Sequence, residues 1–334
     1  MRSILATLFI LPMLLIEAAH PSVVKEEFIF SKAPFASCHA STITEAPDGH
    51  LICAWFAGTE EGNPDVRIWA SHLNLNWEAP LEVASAKEMP CWNPVLFSMP
   101  SNEILLFYKA GRNPKEWSGF LKRSSNNGKS WSDLELLPAG IIGPVRSKPL
   151  LLSDGTLVCG SSIESWGRWG CWIDLTSDGG KTWTKSNPIN VDSQYFGIIQ
   201  PTVFFSKEGS LRLLARSHQI GFICAASSED QGKTWTSAQP TVLQNPNSAI
   251  EAVNLKDGRI LLVYNDSKTE RYPLNLAVSE DGGETWVMKV ILEEKEGEFS
   301  YPAMIQTRDG LVHIVYTYDR KLIKHVVVDP TKIP

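Results

Sequence analysis

The chain has 334 residues, of which 43% are hydrophobic and 20% are charged, and its formal net charge at pH 7 is −6. This composition excludes a disordered or fibrous protein and allows one large all-β domain or two ordinary domains. An acidic balance without a run of Lys or Arg argues against a general nucleic-acid binder.

The N-terminal segment differs in composition from the rest of the chain. Arg2 precedes an apolar stretch over residues 4–16, and Ala18 and Ala19 follow it. A basic residue, a short apolar core and small residues are typical of a secretory signal peptide. We therefore expect residues 1–19 to be a signal peptide and the mature protein to be secreted or periplasmic, with an uncleaved anchor as the alternative. No other apolar run is long enough to span a bilayer, so no transmembrane segment is expected after signal removal.

The six cysteines are scattered through apolar, strand-like segments and form no Cys-x-x-Cys pair. Export would allow disulfides, but a chain of this length can bury a sufficient core without them. We expect buried free thiols, and the spacing offers no metal-ligand pattern. The cysteines are Cys38, Cys53, Cys91, Cys159, Cys171 and Cys224.

Four segments repeat one short pattern, in which Ser or Thr begins a polar turn and Trp ends it. Their tryptophans lie 52, 52 and 51 residues apart. A repeat of this length indicates an array of identical supersecondary units. We predict that each segment is a turn between outer strands, with a structural role. The segments are Ser124–Trp131, Thr176–Trp183, Ser228–Trp235 and Ser279–Trp286.

A second turn signal runs in step with the first and appears six times, each time ahead of an aliphatic strand. Six units of about 52 residues, each with room for four strands, extend from about residue 28 to residue 329. We therefore predict an all-β protein, a single six-bladed β-propeller domain of four-stranded antiparallel blades. A β-solenoid normally repeats in shorter units. The turns are centred on Asp48, Asn102, Asp154, Glu208, Asp257 and Asp309.

Counting from these turns locates the residues that should meet at the mouth of the central channel. Eight or nine residues before each turn lie His39, Asn93, Arg146, Gln200, Ala249 and Tyr301, and about eight after it lie Phe56, Lys109, Ser161, Arg216, Asn265 and Thr317. The basic residues predicted at this mouth are Lys109, Arg146, Lys148, Arg216 and Arg271. A basic mouth on an acidic protein indicates an anionic ligand, and Arg binds a carboxylate in bidentate fashion.

The Trp-ended segments resemble the Asp boxes of the sialidase (neuraminidase) superfamily, and their period matches the six-bladed catalytic propeller of that superfamily. The resemblance covers nearly the whole mature chain. It implies an enzyme that acts on an acidic glycan or glycoconjugate and needs no metal or organic cofactor.

The resemblance also assigns roles to individual residues. Tyr301, in Phe299-Ser300-Tyr301-Pro302 and eight residues before Asp309, stands where the superfamily has its nucleophile. Arg216 and Arg271 match two of the three arginines that grip the sugar carboxylate. The resemblance therefore implies the nucleophile and part of the carboxylate site.

Two positions depart from the pattern of the superfamily. His39, in Ser37-Cys38-His39-Ala40, replaces the first arginine, and Gln200 replaces the glutamate that activates the tyrosine. Gln cannot accept a proton, and a phenol without a base is a poor nucleophile at neutral pH. Glu251 in the following blade and His39 are the two candidates for a substitute base.

The catalytic acid/base of the superfamily is an Asp on a loop after the second strand of the first blade. The matching loop runs from residue 58 to residue 67, and Asp65 or Glu61 is the candidate acid/base. Trp92 offers an aromatic face for a sugar ring and Asn93 an amide for its hydroxyls. Residues expected to line a leaving-group subsite on the rim are Trp166, Arg168 and Trp169.

The predicted function is that of a retaining exo-glycosidase, acting as a monomer, that releases sialic acid or a related 2-keto-3-deoxy sugar acid. Two alternatives stay open at this point. The altered site could serve another uronic-acid-containing glycan by hydrolysis or by lyase chemistry, with His39 and Tyr301 as the proton-transfer pair of the lyase. The chain could also be a carbohydrate-binding propeller without catalysis.

Overall fold

The computed structural model describes residues 20–165, 168–192 and 197–334. These residues form six sheets, each of four antiparallel strands, and one 3₁₀ helix at Pro330–Lys332. The structure confirms the predicted all-β, six-bladed propeller. Residues 1–19 and Trp166, for which a signal peptide and a rim contact were predicted, lie outside the described residues.

In five of the six sheets the four strands follow one another in sequence order, so that each of these sheets is a meander. The strands are β1 (Val23–Phe28), β2 (Ser37–Glu45), β3 (Leu51–Gly58), β4 (Arg67–Leu73), β5 (Leu81–Ala84), β6 (Cys91–Ser98), β7 (Ile104–Ala110), β8 (Ser118–Ser124), β9 (Glu135–Leu136), β10 (Leu150–Leu151), β11 (Leu157–Ser165), β12 (Arg168–Thr176), β13 (Thr184–Lys185), β14 (Gly197–Phe205), β15 (Leu211–His218), β16 (Phe222–Ser228), β17 (Gln239–Gln244), β18 (Glu251–Asn254), β19 (Ile260–Asn265), β20 (Leu274–Ser279), β21 (Val287–Glu293), β22 (Phe299–Gln306), β23 (Val312–Tyr318) and β24 (Leu322–Val328).

The ring is closed by strands from both ends of the chain. Blades one to five are β2–β5, β6–β9, β10–β13, β14–β17 and β18–β21, whereas blade six contains β22, β23, β24 and then β1. Val23 pairs with Val328 in this last ladder. The propeller therefore begins before residue 28, where the repeat pattern placed its start. This pairing covers an edge that would otherwise expose unpaired backbone groups.

The four Trp-ended segments are turns between the third and fourth strands of blades two to five, as predicted. In blade three, the Asp178 carboxylate accepts hydrogen bonds from the Thr182 N–H (2.8 Å), the Thr182 hydroxyl (2.6 Å) and the Lys181 N–H (2.9 Å). The Trp183 ring lies 6.2 Å from the ring of Phe107 in blade two. The tryptophan therefore packs between blades.

Local turn chemistry produces the hairpins that join the first two strands. Gly49 and Gly310 have φ of 94° and 91°, and no heavy atom lies within 4 Å of where their Cβ would be. Glycine is favoured at these turns because it adopts a positive φ readily. Space is not the reason, since a side chain would fit there. The second strand after such a turn is largely buried, as in β3, where every residue is buried. The cores form where the sheets face each other.

The six cysteines are buried and unpaired, which confirms the prediction of free thiols. Among the described residues, no helix has the length and apolar character needed to cross a bilayer.

Candidate active site

Four inner strands contain the same distortion near their first residues. The strand register shifts between His39 and Thr42, Trp92 and Val95, Ile199 and Thr202, and Ser300 and Ala303. Each bulge contains one residue with a left-handed backbone, and non-glycine residues in this region cost roughly 1–3 kcal/mol and cluster at functional sites. These residues are Ala40 (φ 56°), Asn93 (31°), Gln200 (55°) and Tyr301 (53°).

Tyr301 is the centre of the cluster that these bulges form. Its side chain is buried, and its hydroxyl oxygen accepts a hydrogen bond from Arg216 Nη1 at 2.5 Å. Its ring centroid lies 4.0 Å from that of His39. The guanidinium carbons of Arg216 and Arg271 are both 5.4 Å from the ring. Positive charge at this range stabilises negative charge that develops on the phenol oxygen.

His39 is buried beside Tyr301 and is held from one side only. Its Nδ1 lies 2.9 Å from the Thr317 hydroxyl oxygen, and its Nε2 is a buried atom with no hydrogen-bond partner among the described residues. Burial, followed by the charges of Arg320 and Arg271, holds the pKa of His39 well below its usual value. The imidazole is therefore neutral at neutral pH.

The predicted arginines Arg216 and Arg271 meet at the mouth, and a third arginine joins them. Arg271 Nη1 and Arg320 Nε donate to the same oxygen of Glu298, at 2.8 and 2.6 Å. Arg216 is bonded to neutral groups, Asn247 Oδ1 (2.8 Å) and Gln200 Oε1 (3.0 Å) in addition to Tyr301. Arg271 and Arg320 thus share Glu298 while the bonds of Arg216 go to neutral groups, so these three arginines leave an excess of positive charge.

Sequence analysis missed Arg320, because the residue is neither near the start of an inner strand nor at the counted distance after a turn. It lies in the connection between β23 and β24, where Asp319 and Arg320 are both left-handed, with φ of 51° and 58°. The Arg320 carbonyl accepts the N–H of Cys38 at 2.8 Å, which places this turn next to His39. Asp-Arg-Lys between two apolar strands was the available signal for a turn, but not for a site.

The acidic loop between β3 and β4 separates its two candidate acids. Asp65 Oδ2 accepts the N–H and the hydroxyl of Thr59, at 2.8 and 2.5 Å, and so fixes the shape of the loop. Glu61 forms an ion pair with Arg320 Nη1. The structure therefore brings Glu61, and not Asp65, into contact with the arginine cluster.

Trp92 and Asn93 support this loop and the channel wall. Trp92 is buried, donates from its indole nitrogen to the Gly111 carbonyl at 2.8 Å, and packs against Trp117. A Cβ on Gly62 would lie 3.5 Å from the Trp92 ring, so the loop rests on this indole. Asn93 is buried at the bulge of blade two. Trp92 is thus a packing residue, and its face is not open to a sugar.

The long hairpin of blade three overhangs the cluster. The ring of Trp169 stacks on His218, with centroids 4.5 Å apart, and lies 5.8 Å from the guanidinium carbon of Arg216. Glu164 is the cross-strand partner of Trp169, so its side chain points to the same face. Burial raises the pKa of Glu164. The positive charge of Arg216 lowers this pKa in part, and the negative charge of Glu61 raises it. Glu164 is a second mouth residue that the sequence did not indicate. Arg168 begins β12 and is exposed.

Lys109, Arg146 and Lys148 lie deeper than the open mouth where they were expected. The inner strand of blade three has only two residues, and the segment before it crosses the channel. Arg146 Nη2 donates to the carbonyls of Tyr301 and Pro302, the latter at 2.5 Å, in blade six. Lys148 Nζ reaches Thr42 in blade one and Leu96 in blade two, both at 3.1 Å. The segment therefore forms a floor beneath Tyr301.

Glu251 belongs to this floor. Its Oε1 accepts the Lys148 N–H at 3.2 Å and the Thr202 hydroxyl at 3.4 Å, and its Oε2 is buried without a partner among the described residues. Burial raises its pKa, against the charges of Arg146 and Lys148. Lys109 is buried, donates to the Pro144 carbonyl, and has a pKa lowered by burial to about 7. Glu251 and Lys109 thus support the floor.

The described residues contain no group of three His, Cys, Asp or Glu side chains arranged to hold a metal ion. What the arrangement can do follows from the side chains themselves. It offers a buried phenol next to a neutral imidazole, a set of arginines for an anion, and two carboxyl groups at the rim.

Comparisons with known proteins agree with this architecture. The family model described as "BNR repeat-like domain" matches residues 49–314. A sialidase from Bacteroides fragilis (strain YCH46) is 29% identical over 218 residues, which are 59% of this chain and 38% of that protein. The chain therefore spans well under half the length of this curated relative.

Solved structures show the same fold at low sequence identity. A protein of unknown function from Dyadobacter fermentans has a TM-score of 0.80 at 18% identity, over 92% of this chain and 99% of that one. The NanB sialidase from Streptococcus pneumoniae has a TM-score of 0.77 at 14% identity, over 92% of this chain and 71% of that one. Together with the six blades and their Asp boxes, these matches show that the chain belongs to the BNR repeat-like domain family, within the sialidase superfamily.

Proposed function

We propose that this protein is a retaining exo-glycosidase that releases a terminal acidic sugar, sialic acid or a related 2-keto-3-deoxy sugar acid, from a glycan or glycoconjugate. The observation that carries the proposal is the bond between the Tyr301 hydroxyl and Arg216 within a cluster that also holds Arg271 and Arg320. A potential nucleophile and a carboxylate-binding group are therefore in direct contact. The sialidases among the similar proteins act as precedents for this pairing.

The charge of the substrate explains the choice of nucleophile. A sugar acid of this class carries its carboxylate on the anomeric carbon, so a carboxylate nucleophile would be repelled. A neutral phenol avoids that repulsion, while Arg216 and Arg271 hold the carboxylate and orient the anomeric carbon towards Tyr301. Attack by the Tyr301 oxygen forms a covalent glycosyl-enzyme and breaks the bond to the leaving oxygen, and water then releases the sugar with retention.

His39 is the base that we assign to Tyr301. In the tautomer with hydrogen on Nδ1, that nitrogen donates to Thr317 and the unpartnered Nε2 is free to accept a proton. Glu251, the other candidate base from the sequence, accepts hydrogen bonds from the Lys148 N–H and the Thr202 hydroxyl. We assign it to the support of the floor.

Glu61 is the acid/base that we assign to the leaving group. It is the candidate on the acidic loop that reaches the arginine cluster, whereas Asp65 is engaged with Thr59. Protonated Glu61 would donate to the leaving oxygen and then, as a carboxylate, accept a proton from the attacking water. Glu164 lies close enough for its charge state to depend on Glu61.

One observation favours a second candidate, a lyase for a uronic-acid-containing glycan. His39 and Tyr301 are in ring contact at 4.0 Å, and a lyase needs two such groups to remove the proton next to the carboxylate and to protonate the leaving oxygen. The arginines would then neutralise the carboxylate and stabilise the carbanion. The products differ, because elimination leaves a carbon–carbon double bond in the sugar and hydrolysis does not.

A panel of terminal acidic glycans separates these proposals. Purified protein is incubated with sialosides, with conjugates of other 2-keto-3-deoxy acids and with glucuronides, and both free sugar and unsaturated product are measured. Tyr301→Phe should lower kcat at least about a thousandfold while the acidic sugar still binds. Tyr318→Phe, the same change at a tyrosine that contacts Lys295 outside the cluster, is the matched control. Glycan binding without any product would indicate a binding propeller, and full activity of Tyr301→Phe would contradict the assigned role.

Export is part of the proposal and rests on residues 1–19 alone. Mass spectrometry of the N-terminus of the protein from its native cell, together with cell fractionation, tests it. An intact Met1 in the cytoplasm would contradict export.

A further inference from the structure

The turn that carries Arg320 is fixed between two blades. Asp319 exchanges hydrogen bonds with Glu298: its N–H donates to the Glu298 carbonyl (2.9 Å), and its Oδ1 accepts the Glu298 N–H (2.9 Å). The Arg320 carbonyl accepts the N–H of Cys38 in blade one. The backbone of Arg320 therefore has a defined position where blade six meets blade one, next to His39.

The guanidinium of Arg320 is shared between Glu298, which several groups hold in place, and Glu61, which can be replaced. Its Nε is bonded to Glu298, which is also the partner of Arg271 and of the Ser300 hydroxyl (3.1 Å). Its Nη1 is bonded to Glu61. Because Glu298 faces two guanidinium groups, its single charge leaves one positive charge near Arg320 for another anion.

Among the described residues, the Glu61 side chain is held at this place by that ion pair alone. The side chains of Arg320 and Glu61 are 30% and 36% exposed, and ion pairs at such exposure contribute only about 0–1 kcal/mol. The loop itself is fixed by Asp65 bonded to Thr59 and by Gly62 resting on Trp92. The Glu61 side chain can therefore leave Arg320 without unfolding the loop.

We infer that Arg320 is a carboxylate-binding residue of the site. In the empty protein the Glu61 carboxylate occupies the binding position at Arg320, and the carboxylate of the acidic sugar displaces Glu61 from it. The inference rests on the proposed function and extends it. Arg320 supplies, from a turn in blade six, the third guanidinium that the sequence lacks at His39. Substrate binding at the same time releases Glu61 for proton transfer to the leaving oxygen, beside Glu164.

Displacement also changes the neighbours of Glu61. Once the ligand takes over Arg320, Glu61 loses its cation and lies near Glu164, whose pKa is raised by burial. The Glu61 side chain is then no longer tied to a guanidinium and can transfer a proton to the leaving oxygen.

Calorimetric titration with N-acetylneuraminic acid and with glucuronic acid tests the inference, with glucose as the neutral control. Glu61→Gln removes the competing carboxylate, so Kd for the acidic sugar that binds should fall by up to about fivefold while turnover falls. Arg320→Met keeps the apolar stem and should raise Kd by about tenfold or more. The double variant Glu61→Gln/Arg320→Met should have the same Kd as Arg320→Met alone, because Glu61→Gln tightens binding only through Arg320. Glu60→Gln, on the same loop but exposed and outside any ion pair of the described residues, should leave Kd unchanged.

The outcomes separate this inference from the proposed function. If the wild-type protein binds an acidic sugar but Arg320→Met binds it equally well, or Glu61→Gln does not bind it more tightly, the inference is wrong and the proposed function stands. If neither the wild-type protein nor Glu61→Gln binds an acidic sugar, the proposed function is contradicted and the inference with it.

Discussion

Arg146→Met is the substitution for which the structure makes the sharpest prediction. Arg146 is buried, and its side chain spans the channel from blade three to the carbonyls of Tyr301 and Pro302 in the opposite blade. Methionine fills much of the same volume but donates no hydrogen bond. The change therefore removes the support of the left-handed backbone at Tyr301 without creating a large cavity.

The expected loss in the free energy of unfolding follows from the buried groups that the substitution leaves without a partner. Two buried carbonyls lose a charged donor, at about 1.5–3 kcal/mol for each hydrogen bond, and Glu251 loses a neighbouring cation. Against this, Nε and Nη1 of Arg146 have no partner among the described residues, so removing the charge recovers part of a desolvation cost. We expect a net loss of about 3–5 kcal/mol, as for other buried pairs that lose one partner. At about 2 °C per kcal/mol for a chain of this size, Tm should fall by about 6–10 °C.

Thermal and urea unfolding, followed by circular dichroism and tryptophan fluorescence, measure this loss. Glu251→Gln in the Arg146→Met background should restore at least about half of it, because the unpaired carboxylate is then also gone. In the folded variant, kcat should fall about tenfold or more with KM changed less than about threefold, since Tyr301 is misplaced while the arginines remain. A loss below about 1 kcal/mol, or a double variant less stable than the single one, would refute the reasoning.

Two further predictions concern pH and the outer turns. The pKa of His39 is lowered in the folded protein, so the unfolded chain takes up a proton as pH falls through about 6.5 while the folded protein does not. The free energy of unfolding therefore decreases as pH falls below about 6.5. His39→Gln should reduce the slope of the free energy of unfolding against pH by up to about 1.4 kcal/mol per pH unit, measured by urea unfolding between pH 7 and pH 5. An unchanged slope would contradict a buried neutral imidazole. Asp178→Ala removes four hydrogen bonds in the outer turn of blade three and should cost about 1 kcal/mol of stability, measured by thermal unfolding. Its activity should match that of the wild type, and lost activity in a fully folded variant would show that the turn is more than scaffold.

The sequence was sufficient for the propeller because its signals are local. Each Asp-Gly turn and each Trp-ended turn is determined by a few neighbouring residues, as in the bonds between Asp178 and Thr182. The period of these turns then determines the number of blades. Closure by β1 was not visible in this way, because β1 lies outside the repeat and pairs with β24 about 300 residues later.

Counting along the repeat also placed Tyr301, Arg216 and Arg271 near one another, and the structure joins all three. Counting was less accurate in blade one, where the left-handed residue of the bulge is Ala40 and His39 precedes it. The left-handed residue of the bulge does not lie at a constant distance from the turn, since Ala40 is eight residues before Asp48 and Asn93 is nine before Asn102. Register within a blade is therefore a property of the folded ladder.

Sequence analysis missed Arg320 and Glu164 and placed Arg146 at the open mouth, and these errors share a physical cause. Arg320 reaches the cluster from a turn, Glu164 reaches it from a long hairpin, and Arg146 leaves its own blade to cross the channel. The sequence by itself determined the turns, the strands and their repetition, since each depends on residues that are neighbours along the chain. Only the tertiary structure decided which charges meet at Tyr301, because that depends on contacts between blades that are about 50 to 280 residues apart.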